Sequence, residues 1–448
     1  MLHFAAEVAT VRDVQLLAVG AGPSNLGLAV ALEELADEEL ARNTLLLEQA
    51  EAIAWQRGTL MPWALSQVSF LKDLVLLRNP RSRFTFLNYL RETGRLDEFV
   101  NLGTFTPYRS EISDYLRWVA QSLEHVRIEY GRSCVAIEPR YDGSGALVGW
   151  IARLADGSAI RSPILVVGVG REARIPSVFR GLPEGRAVHT TRYLQQVGAL
   201  LTRPREEQPR EVVIVGGAQG SAEMLWSVLE DLPGSRATLV TRSVALAMYQ
   251  NSKFTNELYY ASFVDEFFDA LPAAREQMLA EMHRTNYSGL TPELLDGLYR
   301  RMYLERLNGD RRIRILSMTD VTSARAEGDG IVLTLRDRKT GASTELSCDL
   351  VLLGTGYERA MPALVRQLAA ALGLERIDVT RGYRLVLPEP AAAACYVQGV
   401  NEATHGIADS LLSLVASRSA EIVADVVAVR DRGSAMPTRR EAVGLRGT

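Results

Sequence analysis

The sequence predicts an α/β protein with two Rossmann-like units, each wound around a parallel sheet, and a smaller, mostly helical region. Three observations carry this. Residues 13–27, Asp-Val-Gln-Leu-Leu-Ala-Val-Gly-Ala-Gly-Pro-Ser-Asn-Leu-Gly, read as a buried strand, a glycine turn and a helix start. Residues 211–223, Glu-Val-Val-Ile-Val-Gly-Gly-Ala-Gln-Gly-Ser-Ala-Glu, repeat the pattern. Two more apolar strands end in glycines, at 164–170 and 349–357, and each closes one unit. The chain divides as 1–206 for the first unit and 207–355 for the second, with the helical region at about 245–310. Residues 356–448 return to the first unit and end in a helix and tail.

In the first unit Leu16 to Val19 is the strand. Gly20 permits the tight turn, and Gly22, without a Cβ, lets a pyrophosphate approach the backbone. Pro23 suits a first helical turn, where its missing N–H is no loss. The helix start offers free N–H groups and a positive dipole end. Asn25 replaces the third glycine of the usual G-x-G-x-x-G. A second strand, Thr44 to Leu47, ends in Glu48, placed to bind ribose hydroxyls. These features point to a dinucleotide. In the second unit Gly216 opens the turn, Ala218 stands where the second glycine belongs and Ser221 where the third does. A Cβ therefore faces the pyrophosphate, and Gly220 restores room nearby. The next strand, Ala237 to Val240, ends in Thr241-Arg242. No acid is there for a ribose 2′-hydroxyl, whereas Arg242 suits a 2′-phosphate, which favours NADP.

Composition excludes several classes. The chain has 448 residues, enough for two or three domains, and is 47% hydrophobic and 23% charged, as a folded soluble protein is. A net charge of −4 gives no footing for nucleic acid. Cys134, Cys348 and Cys395 lie far apart, with no C-x-x-C and no zinc spacing, so no metal site is expected and a dithiol reductase is disfavoured. The first residues lack the pattern of a signal peptide and no apolar run is long enough to span a membrane, so a cytoplasmic location is expected.

Between the strands, residues 55–118 form an insertion rich in aromatics, either core or a wall over a planar cofactor. Lys72 sits there in an apolar setting: it is either a surface lysine paired with Asp73 or a buried one for an anionic substrate group. Glu111 to Leu123 reads as an amphipathic helix. Strands are expected near 127–130, 135–138, 149–154, 321–326 and 331–335. Segment 203–210 reads as a hinge. Asn251, Lys253, Asn256, Asn286 and Tyr287 fall in the helical region, where asparagines are commonly caps. Residues from Leu414 to about Val429 form a last helix, followed by a polar, basic, solvated tail.

Several segments resemble the flavin-dependent N-hydroxylating monooxygenases that act on the side-chain amine of ornithine or lysine. They are Gly-Ala-Gly-Pro-Ser-Asn-Leu at 20–26, Gln-Val-Ser-Phe-Leu-Lys-Asp-Leu-Val at 67–75, Phe-Leu-Asn-Tyr-Leu at 86–90, Ser-Asp-Tyr-Leu-Arg-Trp at 113–118, Phe-Thr-Asn-Glu at 254–257, Thr-Asn-Tyr-Ser at 285–288, Thr-His-Gly at 404–406 and Asp-Ser-Leu-Leu-Ser at 409–413. The last is closest to the ornithine branch. The resemblance implies FAD and NADPH as cofactors, with O2 and an amino-acid amine as substrates. Hydroxylation would proceed through a C4a-hydroperoxyflavin to N5-hydroxyornithine, for siderophore or related biosynthesis. It implies FAD contacts from Gly20, Gly22, Pro23, Asn25, Glu48, Gln49, Gln67 and Leu412, and NADP contacts from Gly216, Gln219, Gly220, Ser221 and Arg242. Lys72 would hold the substrate carboxylate, with Asn256 and Asn286 on its α-amino and carboxylate groups. Gln67, Asn286 and Ser413 would lie at the reacting centre, Ser413 also touching the amine end. His189 and His405 read as structural. A homo-oligomer, often a tetramer, is implied. Departures at Ala218, Gly220, 250–260 and Met61-Pro62-Trp63 leave lysine, a diamine or another amino acid open as substrate, and an FAD/NADP reductase without oxygen insertion remains the alternative of another class.

Overall fold

Continuous apolar runs become the inner strands of two parallel sheets, as expected for strands covered on both faces. The structure, a computed structural model, describes residues 11–287 and 289–434. The sheets use β1 (Leu16–Val19), β2 (Thr44–Leu47), β3 (Arg127–Glu129), β4 (Ile164–Val167), β5 (Ala187–His189), β6 (Glu211–Val215), β7 (Arg236–Val240), β8 (Ile313–Leu316), β9 (Leu350–Leu353) and β10 (Ala394–Val397). The first sheet has the order β10-β4-β1-β2-β3 and the second β5-β9-β6-β7-β8, with every pairing parallel. The runs β4-β1-β2-β3 and β9-β6-β7-β8 correspond, while the fifth strand comes from after the others in the first sheet (β10) and from before them in the second (β5). Each unit also carries a small, largely antiparallel sheet between its third and fourth strands, from 134–162 in the first and 319–348 in the second.

The helices that matter for the site are α1 (Pro23–Leu35), α2 (Phe86–Glu92), α3 (Leu96–Leu102), α4 (Arg109–Gln121), α5 (Gln219–Asp231), α6 (Lys253–Glu257), α7 (Ala261–Asp269), α8 (Pro272–Asn286), α9 (Pro292–Leu307) and α10 (Val415–Ser434). Helix α1 is buried against α10 and the insertion on one face of the first sheet. Gly27 marks that contact, since a Cβ there would run into Val415. The insertion aromatics resolve mainly as core: Phe84, Phe86, Tyr89, Phe99 and Tyr115 are buried together with α1 and α10. Edge-to-face rings at 5.5–5.6 Å, such as Phe86–Tyr115 and Phe86–Phe99, hold α2, α3 and α4 to one another.

Three readings of the chain shift. The second sheet begins before residue 207, because β5 pairs with β9 there. A three-residue strand followed by a 3-10 turn has too short a run for alternation to register. The helix expected at 111–123 starts at Arg109 and ends at Gln121. The last helix runs on through Arg430, whose guanidinium is 2.5 Å from Asp37, so the tail does not start there. The remainder of the tail and the first ten residues lie outside the described residues. Among the described residues no helix is long and apolar enough to cross a membrane.

Candidate active site between two glycine turns

The turn after β1 is set by the chain itself at one glycine and left open at the other. Gly20 has φ +90°, and a Cβ on it would lie 2.7 Å from the Gly168 carbonyl oxygen. Gly22 is extended, with φ −72°, and a Cβ there would meet nothing within 4 Å. Helix α1 has no side-chain cap, so its first-turn N–H groups have no capping oxygen. This open cradle at an uncapped N-terminus fits a diphosphate, and hence the FAD expected there. Glu48 accepts from the Ala21 N–H at 3.0 Å and from the Ala50 N–H at 2.9 Å, bracing the turn from the end of β2. Gln49 is exposed beside it.

Asn25 holds the turn together. It is fully buried, donates to the Val19 and Gly20 carbonyls at 3.0 and 2.6 Å, and accepts from Gln398 Nε2 at 2.6 Å. Its amide therefore shapes the turn from behind. Gln398 in turn accepts from Arg418 Nε at 3.1 Å. The Arg418 guanidinium also reaches Asp409 Oδ1 and Ser24 Oγ, both at 2.8 Å, and Asp409 Oδ2 accepts from the Asn401 N–H at 2.7 Å. This ion pair is sealed, with side chains 1% and 0% exposed. It joins α10 to the first turn of α1, a link that no local motif announces.

The second turn is tighter. Gly216 has φ +138°, and a Cβ there would collide with Ser221 Oγ and the Gly354 carbonyl. Ser221 is buried and donates to the Gly354 carbonyl at 3.3 Å, so it packs α5 onto the closing strand. Gln219 donates to Glu223 Oε1 and accepts from the Thr291 N–H, each at 2.9 Å, so its amide ties α5 to α9. Gly220 lies against Thr190, whose hydroxyl is buried without a partner. Helix α5, like α1, has no side-chain cap. Arg242 is exposed and makes no ion pair among the described residues. Past it, a cleft of about 750 Å³ opens between the β7 loop and α8, lined by Ser243, Met248, His283, Arg284 and Arg359 among others.

The two units are laced by charges buried at their joint. Arg109 of α4 grips Glu223 of α5 at 2.6 and 3.0 Å, with side chains 6% and 2% exposed, and also donates to the Thr59 carbonyl at 2.7 Å. Glu402 accepts from Arg171 at 2.8 Å and from the Tyr287 hydroxyl at 2.5 Å, and Tyr287 also meets Ser410 Oγ at 3.0 Å. Burial, then the Glu402 carboxylate, raises the Tyr287 phenol above its usual range. His189 faces the Gly356 carbonyl and His405 the Arg381 carbonyl, at 2.9 and 3.1 Å. Burial lowers both imidazoles below their usual range, which suits structural groups.

Lys72 is not paired with Asp73. Asp73 is buried and accepts from the Val75, Leu76 and Phe86 N–H groups at 2.7–2.8 Å. Among the described residues Lys72 makes no ion pair; its ammonium lies 5.7 Å from the Tyr259 ring centroid. Burial lowers its pKa from the ordinary lysine value. Lys72 and Leu412 line one small cavity with Val68, Phe70, Leu74 and Tyr115. Ser413 follows Leu412, buried. Asn286, at the end of α8, is half-buried; Asn256 on α6 and Gln67 in the insertion are exposed. Tyr259 draws these pieces together, since its N–H donates to the Asn256 carbonyl at 3.2 Å and its hydroxyl bonds to Thr285, next to Asn286. Sequence reasoning missed Tyr259, Glu402 and the Arg109–Glu223 pair: Lys72 is far in sequence from Tyr259, as Arg171 and Tyr287 are from Glu402 and Glu223 is from Arg109.

Comparison with known proteins agrees with this geometry. Residues 12–359 match the family described as L-lysine 6-monooxygenase/L-ornithine 5-monooxygenase. An L-ornithine N(5)-monooxygenase from Pseudomonas aeruginosa is 39% identical over 424 residues, covering 93% of this chain and 94% of that one. A solved ornithine hydroxylase from the same organism superposes with a TM-score of 0.86 at 37% identity, covering 93% of this chain and all of that one. An ornithine N-hydroxylase from Kutzneria sp. 744, solved with reduced FAD, NADP+ and L-ornithine, gives 0.85 at 30% identity over 93% and 100%. Two matching parallel units, a glycine cradle open to a diphosphate and an unpaired lysine beside the C-terminal segment thus coincide with whole-length likeness, and the chain belongs to the L-lysine 6-monooxygenase/L-ornithine 5-monooxygenase family.

Proposed function

We propose that this chain hydroxylates the side-chain amine of L-ornithine with NADPH and O2, holding FAD on the α1 turn and NADPH on the α5 turn. The observation that carries the reading is Lys72: a half-buried ammonium without an acid partner among the described residues, in a cavity wall shared with Leu412. A buried cation calls for an anion, and an amino-acid carboxylate supplies one. Identity to relatives named L-ornithine N(5)-monooxygenase and ornithine N-hydroxylase supports ornithine over lysine or a diamine.

FAD, when bound, supplies the oxygen-activating chemistry. The chain's own residues bind and orient. Lys72 pairs with the substrate carboxylate, and Asn256 and Asn286 hold the α-amino and carboxylate groups. Leu412 and Ser413 close the site around the far amine, with Gln67 on the flavin side. Gly20, Gly22, Pro23 and Gln49 line the FAD cradle that Asn25 and Glu48 brace, while Gly216, Gln219, Gly220, Ser221 and Arg242 form or flank the NADP turn. Exclusion of water lowers the pKa of the far amine and frees its lone pair, which a protonated amine lacks. A cytoplasmic homo-oligomer belongs to the same reading. The test is purification with bound FAD, followed by NADPH- and O2-dependent hydroxylamine formation from L-ornithine, L-lysine, putrescine and cadaverine. Product from L-ornithine alone supports the reading; NADPH oxidation with no hydroxylated amine from any of them overturns it.

A further inference from the structure

We propose that Tyr259 is a positioning residue that seats the Lys72 ammonium and locks it to the two asparagine-bearing helices, so that the carboxylate anchor and the asparagines keep one spacing. The proposal rests on the reading of Lys72 as a carboxylate anchor. Lys72 comes from the insertion of the first unit, whereas Asn256 and Asn286 come from the helical region. Nothing local fixes their separation.

Tyr259 touches all three pieces. Its ring lies under the Lys72 ammonium at 5.7 Å. Its backbone N–H donates to the Asn256 carbonyl at 3.2 Å. Its hydroxyl bonds to Thr285 Oγ1, and because that hydroxyl gives its proton to the Met282 carbonyl at 2.6 Å, Tyr259 is the donor to it. Thr285 and Asn286 are consecutive in the last turn of α8. The ring therefore serves as a neutral counter-surface for the ammonium. An aspartate or glutamate in its place would neutralise Lys72 and compete with the substrate carboxylate. A ring face attracts a cation while leaving its charge free for a second partner. The adjacent Asp73 is withheld by its three backbone N–H donors.

The chain offers a direct readout. Only three of its fifty basic residues are lysines, Lys72, Lys253 and Lys339. Reductive methylation of the FAD-loaded full chain with 13C-formaldehyde then gives three lysine dimethyl signals and that of the N-terminal amine. Lys72 is assigned by the signal missing in Lys72→Arg. The expected result is an upfield Lys72 signal that moves toward the other two in Tyr259→Leu and in Tyr259→Met, and stays in Tyr259→Phe. In kinetics with unmodified protein, loss of the ring raises KM for L-ornithine roughly 5- to 30-fold, and flavin reduction by NADPH in the absence of ornithine stays within about twofold. Tyr259→Phe recovers most of that KM. In a Lys72→Met background, Tyr259→Leu adds less than about twofold, because the residue it acts through is gone. An unmoved Lys72 signal, or an equal KM effect with and without Lys72, overturns the proposal. A wild-type chain inactive on L-ornithine overturns the functional reading alone, and the resonance comparison still decides the seat.

Discussion

The two glycines of the first turn give a sharp test, because one is required by the chain and the other by what binds beside it. Gly20→Ala places a Cβ 2.7 Å from the Gly168 carbonyl oxygen on a backbone with φ +90°. The left-handed conformation costs about 1–2 kcal/mol for a residue with a Cβ, and the forced backbone shift about 1–3 more, so roughly 2–5 kcal/mol of stability is lost. Gly22→Ala adds a methyl where nothing stands within 4 Å, at φ −72°, which any residue adopts. The flavin-free fold is then unaffected or gains about 0.4–1 kcal/mol from a stiffer unfolded chain. The same methyl intrudes on a bound diphosphate. If that overpacking costs about 1–3 kcal/mol, the FAD dissociation constant rises roughly 5- to 150-fold. The assays are thermal denaturation of the flavin-free proteins and titration by flavin fluorescence. A Gly22→Ala protein that binds FAD as tightly as wild type, or that unfolds as early as Gly20→Ala, refutes the reasoning.

Four other outcomes follow from the site. Glu223→Leu strands the Arg109 guanidinium in the joint and lowers stability by about 3–5 kcal/mol, while the double variant Arg109→Met/Glu223→Leu regains most of it; urea midpoints read both, and additive losses would contradict a buried pair. Lys72→Ala raises KM for L-ornithine roughly 30-fold or more, from at least about 2 kcal/mol for a charged hydrogen bond, and NADPH still reduces the flavin. Because burial lowers the Lys72 pKa, its ammonium is lost below the ordinary lysine range. KM therefore climbs as pH rises through that lowered value, and Lys72→Arg, charged throughout, removes the climb in a pH series of initial rates. Arg242→Ala weakens NADPH binding and leaves NADH nearly unaffected; equal losses in a comparison of the two KM values remove Arg242 from the 2′-phosphate.

What the sequence made legible was whatever is local. The runs Leu16–Val19 and Leu350–Leu353 are apolar throughout because both faces are covered, and the glycines that end them mark the turns. What it hid was pairing at long range. Asn25 stands in a dinucleotide motif and so suggests a ligand contact, but its amide is engaged by Gln398, 373 residues away. Gln219 and Ser221 likewise carry long-range bonds that no local motif announces, to Thr291 and Gly354. The choice between a surface and a buried Lys72 could not be made from Lys-Asp adjacency. It turned on three backbone N–H groups that claim the Asp73 carboxylate, one of them from Phe86, thirteen residues on.

Two demands on the site pull against each other. Drying the chamber favours the uncharged amine that can be hydroxylated, yet the same dryness disfavours the ammonium of Lys72. On the proposed reading, the arrangement separates them along the length of the substrate. At the α-end, the Tyr259 ring and an incoming carboxylate both favour the charged form of Lys72. Among the described residues, Asp73 is the one acid on the cavity wall that Lys72 shares with Leu412, and burial raises that carboxyl against the lowering effect of its N–H donors. A substrate lacking the carboxylate would leave Lys72 charged, desolvated and without an anion. The chain would therefore disfavour a diamine by more than the loss of one contact, since an unpaired buried charge costs more than a missing attraction. Ornithine should outcompete putrescine in mixed-substrate assays, and Lys72→Met should narrow that gap by weakening ornithine and strengthening putrescine together. A gap that closes only because ornithine weakens would show that Lys72 attracts the carboxylate without penalising its absence.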